Sequence, residues 1–122
     1  MNRLRLCLGT MITAAVLLLW AGAMAEIRIN EVMASNGVYQ DAHAYDWAEL
    51  YNDGAEVSLA GWYLSNDPYQ PYKWAFPSGA KIAKNGYLIV YCAGEGKEPM
   101  TDALCTNFKL SADGDTLYLT SP

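Results

Sequence analysis

The side chains of this 122-residue chain that are able to do chemistry are mostly carboxylates: thirteen Asp and Glu stand against eight Lys and Arg and one His. Asp41, Asp46, Glu49, Asp53, Asp67, Asp113 and Asp115 supply hard oxygen ligands of the kind Ca²⁺ takes. Their spacing does not follow an EF-hand loop, which sets acids at alternating positions before a glycine and ends on a glutamate. His43 stands near Asp41 and Asp46 in a polar stretch, yet no second His or thiolate accompanies it there, and it reads as a solvated loop residue. A serine nucleophile lacks the Gly-x-Ser-x-Gly elbow. A paired-acid glycosidase needs a cleft and one carboxyl of raised pKa, and nothing in the sequence marks such a pair. The sequence therefore assigns no catalytic residue, no metal ligand and no cofactor. It reads as a non-enzyme.

Two other groups carry more information. Tyr45, Trp47, Tyr51, Tyr63, Tyr69, Tyr72 and Trp74 crowd into one part of the chain, and exposed rings of this kind stack on sugars or anchor a protein partner. Tyr69, Tyr72 and Trp74 are the candidate binding residues. The competing reading is that most of these rings fill the core or cover strand edges; Trp62, Phe76 and Phe108 are assigned to the core. Cys92 and Cys105 are the second group. Export favours oxidation, and a disulfide between them would close a loop of ~14 residues, stabilising by about 3 kcal/mol in the chain-entropy model. The alternative is two separate thiols, with Cys92 buried beside Leu88 and Val90.

The elements that position these residues are strands. In Asp46–Asn52 the apolar Ala48 and Leu50 alternate with Trp47, Glu49 and Tyr51, as a strand with one buried face requires. Asn52-Asp53-Gly54 supplies a turn, and Ala60-Gly61 punctuates the approach to Trp62-Tyr63-Leu64-Ser65. Ile27 and Ile29 alternate before Glu31-Val32-Met33 breaks the period, which predicts a bulge or an early strand end. Residues 35–45 read as a surface loop, and Pro68 and Pro71 block sheet pairing in the next one. Trp74-Ala75-Phe76 and Ala80-Lys81-Ile82 are short extended pieces. Lys84-Asn85-Gly86 is a tight turn that favours positive φ. Tyr87–Cys92 is apolar on both faces, the pattern of a central strand. Thr106–Leu110 and Thr116–Leu119 complete the set. With turn signals every eight to twelve residues or so and no helical period, the pattern is an all-β sandwich or barrel.

Residues 1–25 stand apart. Arg3 and Arg5 precede an apolar run ending at Trp20, and Ala23-Met24-Ala25 is a small-x-small cleavage site, the pattern of a secretory signal peptide. The uninterrupted run from Met11 to Trp20 is shorter than the ~20 residues that span a bilayer, which argues against a retained anchor. Cleavage after Ala25 would start the mature domain, 26–122, at Glu26, secreted or otherwise extracytoplasmic and without a transmembrane span. It removes two of the eight basic residues and no acid, moving the net charge from −5 to about −7. Lys73, Lys81, Lys84, Lys97 and Lys109 are scattered among acids, so no basic patch exists to displace counterions from a nucleic acid.

These residues, taken together, resemble a lamin tail domain. The matching pieces are Ile29–Asn36, Asp46–Asn52, Leu59–Ser65, Lys73–Pro77, Gly86–Val90 and Thr106–Ser111 with Gly114, in the family's order and over nearly all of residues 27–120. The resemblance implies an immunoglobulin-like β-sandwich of the secreted bacterial branch, a noncatalytic module that binds a protein or cell-envelope component, with a glycan as the alternative ligand. It implies no catalytic residues. Cys92 and Cys105 stand where such bacterial members usually have a small residue and a histidine. The chain also stops before the last strand or two of the family pattern, which leads to the expectation of an N-terminal part of a larger protein.

Overall fold

The computed structural model describes residues 26–37, 44–96 and 103–122. The signal peptide expected over 1–25, Asp41 and His43 lie outside the described residues. Among the described residues nine strands carry the regular structure: β1 (Ile27–Met33), β2 (Asp46–Asn52), β3 (Val57–Ser58), β4 (Tyr63–Ser65), β5 (Trp74–Ala75), β6 (Lys81–Ile82), β7 (Tyr87–Cys92), β8 (Leu104–Cys105) and β9 (Tyr118–Thr120). Among the described residues no helix is long and apolar enough to cross a membrane.

One sheet runs β1-β2-β7-β8, a second β5-β4-β9, and β3 pairs with β6. Among the described strand pairs only β7 and β8 run parallel. Strand β2 lies inside the first sheet, between β1 and β7, and its inward Ala48, Leu50 and Asn52 have no exposed surface. Leu50, Val90 and Cys92 from this sheet meet Leu59, Leu64, Phe76, Ile82, Phe108 and Leu110 in one core. Each large aliphatic or aromatic side chain buried there contributes about 1.5–3 kcal/mol, which is what holds the short strands in two layers. Trp62 packs against this core from its rim and is half-buried, whereas Phe76 and Phe108 lie within it.

Local chemistry sets the joints. In β1 the register slips between Ile29 and Glu31, so Ile29 faces Leu50 and Glu31 faces Glu49, with Asn30 as the extra residue. This bulge is what breaks the apolar period in the sequence. Before β7, Asn85 takes φ 52° while Gly86 does not enter the left-handed region. Gly86 is needed for another reason: a Cβ there would lie 2.9 Å from the Ala83 carbonyl oxygen. The strand expected over Thr106–Leu110 does not form. Thr106 N–H donates to Tyr91 O and so continues the β8 pairing by one residue, but its hydroxyl bonds Phe108 O at 2.8 Å. That local bond turns the backbone away from the sheet, while Phe108 and Leu110 still reach the core. At the end of the chain, β9 falls on Tyr118–Thr120 rather than on 116–119.

Candidate functional site

The outward side of the four-stranded sheet follows from its register. With Ala48 and Leu50 turned into the core, Trp47, Glu49 and Tyr51 stand on the opposite face. Pairing sets Tyr91 beside Trp47, Ile89 beside Glu49 and Tyr87 beside Tyr51. The Tyr51 and Tyr87 rings are 4.7 Å apart and tilted by 38°, and Tyr87 is 62% exposed. From β1, Met33 faces Trp47, Glu31 faces Glu49 and Arg28 faces Tyr51. The Arg28 guanidinium lies 4.8 Å from the Tyr51 ring centroid, and its Nη1 is 3.5 Å from Asp53 Oδ2. A cation is thus held between a ring face and a carboxylate. In the middle of the face two like charges, Glu31 and Glu49, stand directly opposite each other, an arrangement that destabilises a strand pair. Asn30 Nδ2 donates to Glu49 Oε1 at 2.9 Å.

The three residues singled out by composition do not share a surface. Tyr63 pairs with Ala75 and Leu64 with Trp74, and since Leu64 is fully buried, Trp74 lies on the core side of that sheet. It is half-buried and meets Phe76 edge-on, with centroids 4.8 Å apart. Tyr69 is 92% and Tyr72 66% exposed. Tyr72 meets Tyr63 edge-on at 4.9 Å, and Asp67 shapes the loop by accepting from the Tyr69 N–H at 2.9 Å and from Gln70 Nε2 at 3.2 Å. Tyr69 and Tyr72 therefore offer rings to solvent without Trp74.

The expected Cys92–Cys105 disulfide is not made. In the parallel β7–β8 pair Cys105 is in register with Tyr91, not with Cys92. Residues one apart along a strand point to opposite faces, so Cys92 enters the core beside Val90 while Cys105 stands on the outward side. Burial pushes the Cys92 thiol up to about 12, with Asp46 adding to the rise and a hydrogen bond with Thr106 opposing it. Cys92 also lines a polar cleft of about 390 Å³ with Ser35, Asp46 and Lys109. A thiol of that pKa is protonated at neutral pH and is no nucleophile. Val32, Leu110, Ala112 and Leu117 line a smaller, mainly apolar groove of about 190 Å³.

Three of the carboxylates are occupied in local structure. Asp46 accepts from the Asn36 N–H, and Asp53 from the Glu26 N–H, each at 3.0 Å. Asp115 accepts from Asn66 Nδ2, Ser111 N–H and Thr116 N–H at 3.1, 3.0 and 2.9 Å. Burial raises the Asp115 pKa, but these three donors and nearby Lys73 outweigh it and hold the carboxyl below its usual range. Among the described residues no three His, Cys, Asp or Glu side chains converge so as to hold a metal ion. Two relationships escaped sequence reasoning. The Glu31–Glu49 opposition depends on the bulge, whose position alternation alone does not fix. Asn52 was legible only as a turn residue, although it is fully buried.

A family model described as Lamin Tail Domain matches residues 21–122. No curated protein and no solved structure matches the chain.

Proposed function

The chain belongs to the lamin tail domain family, and from that membership we propose that it is a noncatalytic binding module that works outside the cytoplasm and positions a larger secreted or envelope-associated protein on a protein or envelope component. The family is an immunoglobulin-like, noncatalytic one, and the all-β sandwich seen here is of that kind. The observation that carries the reading to a surface is the outward face of β1, β2 and β7. It sets Trp47, Tyr51 and Tyr87 around the Glu49 carboxylate. Aromatic rings on a rigid sheet contribute large contact area at small entropic cost. The leader pattern of residues 1–25 supports export.

N-terminal sequencing of the protein recovered from each cell fraction, with co-sedimentation on isolated envelope fragments, tests the reading. A mature chain beginning at Glu26, found outside the cytoplasm and pelleting with the envelope or with a partner protein, is expected. A chain that keeps Met11–Trp20 and stays in the cytoplasm contradicts it. A second reading, a glycan-binding sandwich, rests on Tyr69 and Tyr72, whose rings are open to solvent.

A further inference from the structure

We infer that the outward face of the four-stranded sheet docks a cationic segment of a partner protein, with an arginine or lysine side chain seated over Glu49 among the flanking aromatic rings. The inference rests on the reading of the domain as a binding module and names the face and the chemistry of the partner.

Three observations carry it. First, the register places Glu49 amid rings: Trp47 and Tyr51 are its same-face neighbours along β2, and Tyr87 and Tyr91 are the diagonal neighbours across β7. Each ring along a strand is about 7 Å from the Glu49 position, within the reach of one long side chain. Ring faces are negative and attract cations, arginine above all. Second, Glu31 and Glu49 oppose each other with like charge. Asn30 engages only Oε1 of Glu49, and a bound cation relieves the repulsion. Neither of the two ion pairs found among the described residues involves either glutamate. Third, the face already holds one cation in this way, since Arg28 lies over Tyr51 with Asp53 beside it. The net charge of −5 over the whole sequence steers a basic partner in the same sense. A neutral glycan stacks on the rings and donates hydroxyls to the carboxylates but does not offset their like charge, which is why the cationic occupant is favoured.

The test is fluorescence anisotropy of the purified protein with a labelled ten-residue peptide of alternating arginine and serine, beside the same peptide with citrulline for arginine. The arginine peptide is expected to bind at least tenfold more tightly than the citrulline one and to weaken as salt rises, because the contact is charge-dependent. Glu49→Gln, which keeps shape and removes charge, and Tyr87→Ala, at an exposed ring, are each expected to weaken binding by roughly five- to tenfold. Tyr72→Ala is expected to stay within twofold. Near-UV circular dichroism confirms that each variant is folded. Equal binding of the two peptides, no binding at about 1 mM peptide, or binding by Glu49→Gln and Tyr87→Ala within twofold of the parent overturns the inference. So does cellohexaose binding that Tyr87→Ala abolishes while the peptide does not bind. If the protein still pellets with a partner and both variants pellet equally well, the binding-module reading stands and this face is not the site.

Discussion

Asn52 Nδ2 donates to the Ala83 carbonyl at 3.1 Å, and the same amide reaches Ala55 O at 2.7 Å and Ile82 O at 3.3 Å. Its Oδ1 accepts from the Gly54 N–H at 3.0 Å. One buried side chain thus ties the end of β2 to the turn that follows it and to the end of β6. It thereby sets where β7 begins, and with it the pairing of Tyr51 with Tyr87. Asn52→Ala leaves these carbonyls short of a donor in a dry setting and is expected to destabilise the fold by about 3 kcal/mol, measured by urea unfolding. Asn52→Asp is expected to be worse at pH 7 than at pH 4, because a carboxylate would face the same carbonyl oxygens.

Cys92 gives a pH signature. Its folded pKa, about 12, lies above the ordinary value of 9.0. Its contribution to stability is therefore complete below pH 9 and is lost as pH rises from 9 towards 12, because the unfolded chain releases the proton first. The parent should lose stability over that window more steeply than Cys92→Ala, whose own cost at neutral pH is about 1 kcal/mol. Parallel pH-dependence of the two proteins counts against this. Iodoacetamide at pH 8 should label Cys92 only after unfolding, and mass mapping of the unreduced protein should show no Cys92–Cys105 bridge.

Asp115 works in the opposite sense. Its lowered pKa means that its hydrogen bonds to Asn66, Ser111 and Thr116 stabilise above the ordinary carboxylate value of 3.8 and are lost as pH falls through the folded value. Asp115→Asn is expected to flatten the acid limb of a stability profile below the ordinary carboxylate value of 3.8. The group is largely exposed, so the effect is small.

Two aromatic residues proposed together from composition should separate in a stability assay. Trp74→Ala removes a ring that packs on Phe76 and the core, and is expected to cost about 3 kcal/mol. Tyr69→Ala, at a ring 92% exposed, should change stability by less than about 0.5 kcal/mol. Chemical denaturation of both variants checks this.

These contrasts mark what residue pattern can and cannot convey. The alternation of Ala48 and Leu50 against Trp47, Glu49 and Tyr51 was legible because one face is buried. The doubly apolar run of Tyr87–Cys92 announced a strand with neighbours on both sides, and β7 does lie between β2 and β8. Pairing between distant strands was not legible. The relative register of β7 and β8 decides that Cys105 joins Tyr91 rather than Cys92, and a one-residue offset reverses which thiols can meet. Thr106–Leu110 looked like a strand by alternation, and the Thr106 hydroxyl bond to Phe108 O overrode it. The candidate face was hidden for the same reason: Glu31 and Glu49 are far apart in sequence and become neighbours only through the β1 bulge.

The proposed binding surface is the outward side of β2 and β7. Chemical-shift mapping of ¹⁵N-labelled protein titrated with the arginine–serine peptide tests it most directly. The predicted result is a contiguous set of shifts at Trp47, including its indole N–H, and at Glu49, Tyr51, Tyr87 and Ile89, with little change at Tyr69 and Tyr72. Shifts confined to the 66–72 loop, or none at all on β2 and β7, contradict it.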